Sequence, residues 1–332
     1  MSTFDKPPPT NPNAGKVQGI MGACLTPFDE EGGIDFGALE RELEFMIPDC
    51  DAITIGAVEA AEYTMLTVEE RKELLRQASA IIDGRVPVIL GASAPAVRMV
   101  LDLADHAAEV GGDLVQVLMP LRPWGGQPTM SELYEYYSQI TTRSSLPIVA
   151  YHNPACGGDP PTDAWVQLSQ LFGVHYFKES SRNVTKIVRL IEEIDLAGNA
   201  RYFTTMQPLL ATLMMGGSGG TMPPPGTRIG AQVVKAFREG DLDRARMWQR
   251  LYGIFPGKWS AYGLAPVMKA ALRHFGVDIG EPAHPYRPVS VEDDAQIGLF
   301  LRETGLLDGE APDASQLSKV VTELSGEDTF LR

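Results

Sequence analysis

The stretch Val174-His175-Tyr176-Phe177-Lys178-Glu179-Ser180 ends an apolar run on a lysine. Its β-branched and aromatic residues read as a buried strand over 174–178. Side chains alternate along a strand, so Tyr176, Lys178 and Ser180 share one face while His175, Phe177 and Glu179 share the other. Stripping water from an ammonium costs several kcal/mol. A lysine here therefore either stands at a mouth, paired with Glu179 or Glu62, or is held neutral for chemistry.

Outward from this stretch the same unit repeats. Short apolar runs at 19–26, 52–56, 87–91, 114–119, 147–151, 174–178, 202–205 and 219–222 alternate with helical periodicity. A helix over 67–83 is announced by Thr67 with Glu70 three residues on, and one over 96–110 ends at Gly111-Gly112. Eight strands, each followed by a helix and none joined by a two-residue hairpin, predict a parallel (β/α)8 TIM barrel of the α/β class. No GxGxxG follows the first strand, which weakens a dinucleotide-binding alternative. The barrel is expected over 17–241, after a proline-rich tail at 1–16. Periodicity at 242–254, 266–275 and 291–306 predicts a small helical C-terminal extension over 242–307, and the rest, 308–332, is a polar tail.

Composition narrows the function. The chain has 332 residues, 44% of them apolar, and carries 43 acidic against 28 basic residues for a net charge of −15. Such a field repels nucleic acid and anionic membranes. No apolar run approaches the ~20 residues of a membrane span, and the first residues lack the apolar centre of a secretory signal. A soluble cytoplasmic protein is expected. Cys24, Cys50 and Cys156 form no CxxC pair, so neither a disulfide framework nor a zinc site is indicated.

Barrel chemistry gathers at the C-terminal ends of strands, where Lys178 falls on the sixth and Tyr151 on the fifth. Adjacent strands lie about 5 Å apart, so the two side chains can face one another. Burial lowers a lysine from its ordinary pKa of about 10.4 towards neutrality, and a neutral amine attacks a carbonyl. Loss of water gives an imine whose protonated nitrogen withdraws electrons from the adjacent carbon. A phenol within reach can carry the protons.

At these residues the chain resembles the dihydrodipicolinate synthase/N-acetylneuraminate lyase family of class I aldolases. The likeness runs over roughly 17–305. It is carried by Gly19-Ile20-Met21-Gly22-Ala23-Cys24-Leu25-Thr26-Pro27-Phe28, by Gly33-Ile34-Asp35, by Tyr151-His152-Asn153-Pro154, by Phe177-Lys178-Glu179-Ser180-Ser181 and by Tyr286-Arg287-Pro288. The resemblance implies an imine between Lys178 and pyruvate or another 2-keto acid, with Tyr151 as proton relay, no metal or organic cofactor, and a homo-oligomer, tetramer or dimer.

Three departures bear on the reaction. Where the family has a Thr-Thr pair after the second strand, this chain has Gly56-Ala57-Val58-Glu59-Ala60-Ala61-Glu62. Substrate binding is therefore expected from the backbone at Ala57 and Val58, from Glu59, and from Thr204 and Thr221 near the ends of strands seven and eight. Cys156 replaces the arginine that true dihydrodipicolinate synthases place after the tyrosine motif. Their tyrosine after the fourth strand is also missing, the loop reading Pro120-Leu121-Arg122-Pro123-Trp124-Gly125-Gly126. Arg122 or Arg182 is expected to supply the anion contact, and Leu121, Trp124, Met206 and Met222 an apolar lining.

The resulting expectation is a Schiff-base lyase, an aldolase or dehydratase. An authentic dihydrodipicolinate synthase and a catalytically silent keto-acid-binding barrel are the alternatives. Glu59 with Glu62 can be an acid/base pair or structural carboxylates, Glu62 best matching the family's structural glutamate. Cys156 reads as a small filler, His152 as structural on the opposite strand face, and His106 with Asp102, Asp105 and Glu109 as a solvated helix face.

Overall fold

The computed structural model describes residues 17–309 apart from 255 and 256, so the tail at 1–16 and all but the first two residues of the tail at 308–332 lie outside the described residues. Eight parallel strands close into a barrel in sequence order. They are β1 (Gly19–Ala23), β2 (Ala52–Ile55), β3 (Val88–Gly91), β4 (Leu114–Leu118), β5 (Ile148–His152), β6 (Val174–Glu179), β7 (Arg201–Thr204) and β8 (Gly219–Met222). Pairing of Met21 with Ala52 on one side and with Thr221 on the other closes the ring. The first strand stops three residues short of its expected end at 26. Cys24 N–H still donates to Thr54 O of β2 at 3.0 Å, but the Leu25 amide leaves the ladder and donates to Glu42 Oε1 at 2.7 Å.

Met21, Ala52, Ile89, Leu114, Val149, Tyr176 and Phe203 fill the barrel interior. This plug makes the barrel a packed core rather than a pore. Because strand side chains repeat every second residue, the layer above Tyr176 is the layer of Lys178.

Around the strands lie α1 (Phe36–Met46), α2 (Val68–Ile82), α3 (Val97–Glu109), α4 (Met130–Arg143), α5 (Thr162–Ser169), α6 (Val184–Leu190), α7 (Leu209–Met214) and α8 (Gly226–Arg238). The capping box of α2 is formed: Glu70 N–H donates to Thr67 Oγ1 at 3.1 Å and Thr67 N–H to Glu70 Oε2 at 2.8 Å. Beyond the barrel come α9 (Leu242–Ile254), α10 (Leu264–His274) and α11 (Val291–Glu303). Helix α10 starts two residues before the expected 266. Pro266 thus sits in its first turn, where a missing N–H costs no hydrogen bond.

No break in packing separates these helices from the barrel. One apolar cluster joins Ile20 and Met222 of the strands to Trp248, Trp259 and Phe300. A polar tie adds to it. Lys269 of α10 is fully buried and lies 2.9 Å from Glu62 Oε2, while Glu62 Oε1 accepts from Ala283 N–H at 2.8 Å.

Candidate active site

Lys178 and Tyr151 are direct partners in the β5–β6 ladder. The lysine is only 4% exposed, and its Nζ lies 4.0 Å from the centre of the Tyr151 ring. Burial pulls its pKa from 10.5 down to about 8, against the opposing charge of Glu59. Neither carboxylate that would make it a surface ion pair is available. Glu179 points to the opposite strand face, where it accepts from Ser181 N–H at 2.7 Å and Tyr202 OH at 3.1 Å. Glu62 is occupied by Lys269.

The nearby anion is Glu59, in the short turn Glu59–Ala61 that follows β2. Its Oε2 accepts from Tyr151 OH at 2.6 Å and from Asn153 Nδ2 at 3.1 Å, and its Oε1 accepts from Cys156 Sγ at 2.9 Å. Burial would raise this carboxyl, yet the charge of Lys178 and the bonds from Cys156 and Tyr151 outweigh it and hold Glu59 below its ordinary value. Tyr151 goes the other way. Burial first, then the adjacent Glu59 charge, push its hydroxyl well above the usual phenol range. At neutral pH the resting site is thus a protonated phenol lying between an anion and an amine that loses its proton near pH 8.

The turn is placed by glycine geometry. Gly56 has φ +56, a left-handed value that suits glycine. A methyl at Gly91 would meet the carbonyl oxygen of Gly56 at 1.9 Å, so β3 must carry glycine where the β2 loop crosses it. Gln116 Nε2 then donates to Ala57 O at 2.6 Å and anchors the loop from below.

A cavity of about 350 Å³ opens above Lys178 and Tyr151, with Val58, Glu59, Asn153, Ser180, Thr205 and Thr221 in its wall. Thr221 Oγ1 is buried and has no hydrogen-bond partner among the described residues. Its hydroxyl is a ready donor.

A profile of the dihydrodipicolinate synthetase family matches residues 16–303. The chain belongs to that family. It is 28% identical to a 4-hydroxy-tetrahydrodipicolinate synthase of Leptothrix cholodnii, over 88% of this chain and 99% of that protein. It is 27% identical to an uncharacterized DapA-like lyase of Pyrococcus abyssi, over 85% and 95%. Among solved structures it resembles dihydrodipicolinate synthase from Aquifex aeolicus with a TM-score of 0.77 and 26% identity, covering 87% of this chain and 98% of that one. This places the protein among lyases of a family that works through a lysine imine.

Within that family frame several expected contacts fall elsewhere. Val58, Glu59 and Thr221 reach the cavity, but Glu59 is the anionic partner of Tyr151 and so is unfit to hold a second carboxylate. Ala57 lies behind the wall, its carbonyl taken by Gln116. Thr204 shares its strand face with Tyr202, whose hydroxyl is bonded behind the sheet to Glu179; the next residue, Thr205, is the one at the cavity. Arg122 is drawn away, its Nη2 2.7 Å from Glu132 Oε2 and its guanidinium 5.9 Å from the Trp124 ring. Leu121 and Trp124 are 37% and 81% exposed, so of the four expected apolar residues only Met206 and Met222 line the cavity. Arg182 does line the cavity, from the left-handed conformation at φ 58.

Asn153 and Cys156 are site residues that the sequence did not single out in this role. The Asn-Pro pair signalled only a turn, and a lone cysteine carries no spacing to read. His152 is structural as expected, stacked 4.7 Å from the Trp165 ring. His106 bonds to Lys72 O at 2.9 Å, and no cluster of metal-ligating side chains occurs among the described residues.

Proposed function

We propose that this protein is a Schiff-base lyase, an aldolase or dehydratase, acting on pyruvate or a substituted 2-keto acid. The observation that carries the proposal is a buried lysine with a pKa near 8 against the ring of a tyrosine that is itself bonded to a carboxylate. The neutral Lys178 amine adds to the C2 carbonyl, and the resulting carbinolamine loses water to give a protonated imine. Tyr151 delivers the proton that turns the departing hydroxyl into water, and Glu59 stabilises the tyrosine as it accepts a proton back. The imine nitrogen then draws in the electron pair released when the C3–C4 bond (aldolase) or a C3–H bond (dehydratase) breaks, and in the dehydratase case the enamine returns that pair as hydroxide leaves C4 and is protonated to water. Val58 N–H and the hydroxyls of Thr205 and Thr221 are the donors assigned to the substrate carboxylate, with Arg182 supplying positive charge.

The names of its relatives raise the narrower reading of a 4-hydroxy-tetrahydrodipicolinate synthase. Cys156 bonded to Glu59 occupies the place of the expected arginine, which disfavours it; a condensation assay with pyruvate and aspartate semialdehyde decides. An assembly of two or four copies in the cytoplasm belongs to the same proposal, and sedimentation reads the assembly. Incubation with pyruvate and borohydride should add the mass of the reduced adduct to intact protein, located at Lys178, and Lys178→Ala should gain none. A wild-type chain left unlabelled by pyruvate and by a panel of substituted 2-keto acids would overturn the imine chemistry and leave a barrel that at most binds keto acids.

A further inference from the structure

Beside the catalytic cavity lies a second one of about 450 Å³, between the barrel helix α8 and the C-terminal helices α9–α11. Arg182, Met206 and Leu264 line both. The two spaces are therefore neighbours across these three side chains, one holding Lys178, Glu59 and Thr221, the other walled by side chains such as Ile229, Leu251, Val267, Ala271 and Phe300. The two aromatic polar tips in that second wall are already bonded. Tyr252 OH donates to Gly226 O at 2.6 Å, and Trp259 Nε1 donates to Asp293 Oδ1 at 3.1 Å. What the wall presents to a ligand is mainly apolar surface.

We infer that this annex receives the apolar body of the substrate, a 2-keto acid bearing an aryl or branched alkyl group beyond C3. The inference rests on the Lys178 chamber being the imine site. The annex's few other polar groups, Arg182, Gln207 and Ser260, are outnumbered by apolar side chains, and each buried Å² of apolar ligand contributes about 25 cal/mol. The junction is built to admit one. Met206 is an unbranched, adaptable side chain, and Leu264 is a large apolar residue that the fold leaves 39% exposed at the rim. Arg182 is held at the same junction by its Nε donating to Gln207 Oε1 at 3.0 Å. A keto acid whose carbonyl reaches Lys178 would thus direct its tail past Leu264 and Met206 into the annex.

Calorimetric titration of the full chain with two unreactive probes, lactate and 2-hydroxy-4-phenylbutanoate, tests this without requiring chemistry. The phenyl probe should bind at least about tenfold tighter, with a negative heat-capacity change. Leu264→Trp narrows the junction and Ala271→Leu fills the annex; each should bring the affinity ratio towards one in protein whose thermal melt shows it folded. A wild-type ratio below tenfold, or a ratio unchanged in both folded variants, overturns the inference. So does a Leu264→Trp effect on the mass of the assembly with no effect on the ratio, which would make the annex a contact between copies. Borohydride trapping with pyruvate on the same samples reports the lyase reading separately. No adduct with the ratio intact sinks that reading alone, and an adduct with a ratio near one sinks the annex alone.

Discussion

Lys178 is poised by two opposed effects, burial lowering its pKa and the Glu59 charge raising it, with the balance near 8. The rate of pyruvate trapping should therefore rise about tenfold per pH unit below 8 and level off above it, as the neutral amine fills. Glu59→Gln removes the contribution that raises the lysine, so the midpoint should move to lower pH while turnover falls. A midpoint that stays at 8 in that variant would show that the Glu59 charge does not act on Lys178. Tyr151→Phe should keep the lysine in place yet slow turnover by about 10²–10⁴, the usual worth of a positioned proton donor. At this scale the pairing of Lys178 with Tyr151 was readable, because strand alternation and neighbouring strand order decide it. The partners of Glu59 were not, since Asn153 and Cys156 come from 94 and 97 residues away.

The element that shapes the site is the loop leaving β2. Its course over β3 depends on Gly91, whose place tolerates no side chain because the Gly56 carbonyl stands 1.9 Å from where a Cβ would lie. Gly91→Ala should cost about 1–3 kcal/mol from overpacking. It should also displace Glu59 from Tyr151, lowering both the melting temperature and the trapping rate. A folded Gly91→Ala protein that traps pyruvate at the wild-type rate would show that the loop is positioned by other contacts. Local signals served well for elements of this kind. Thr67 with Glu70 announced α2, and its capping box is formed. The end of β1 was overrun because Leu25 is apolar like a strand residue, while its amide is claimed by a distant carboxylate, Glu42.

For the molecule as a whole, the C-terminal helices are part of the site as well as of the packing. Lys269 links α10 to the loop bearing Glu59 through Glu62. Burial lowers the pKa of this lysine and Glu62 opposes that shift. Lys269→Met strips the buried carboxylate of its partner and should destabilise the protein by about 3–5 kcal/mol. Adding Glu62→Gln should recover part of that loss, as followed by denaturant unfolding. If the single change is neutral, the helices are held by the apolar cluster alone.

Hydrophobic periodicity by itself determined that this chain is an eight-stranded barrel followed by helices, because period-2 and period-3.6 patterns are local properties of a polymer that must bury one face of each element. It also determined which lysine ends a buried strand. Only the tertiary structure decided that Glu59 is bonded to Tyr151, that Thr205 and not Thr204 faces the cavity, and that a largely apolar chamber neighbours the cavity of the lysine. Those outcomes depend on side chains brought together by chain closure over long separations, and no local pattern records such meetings.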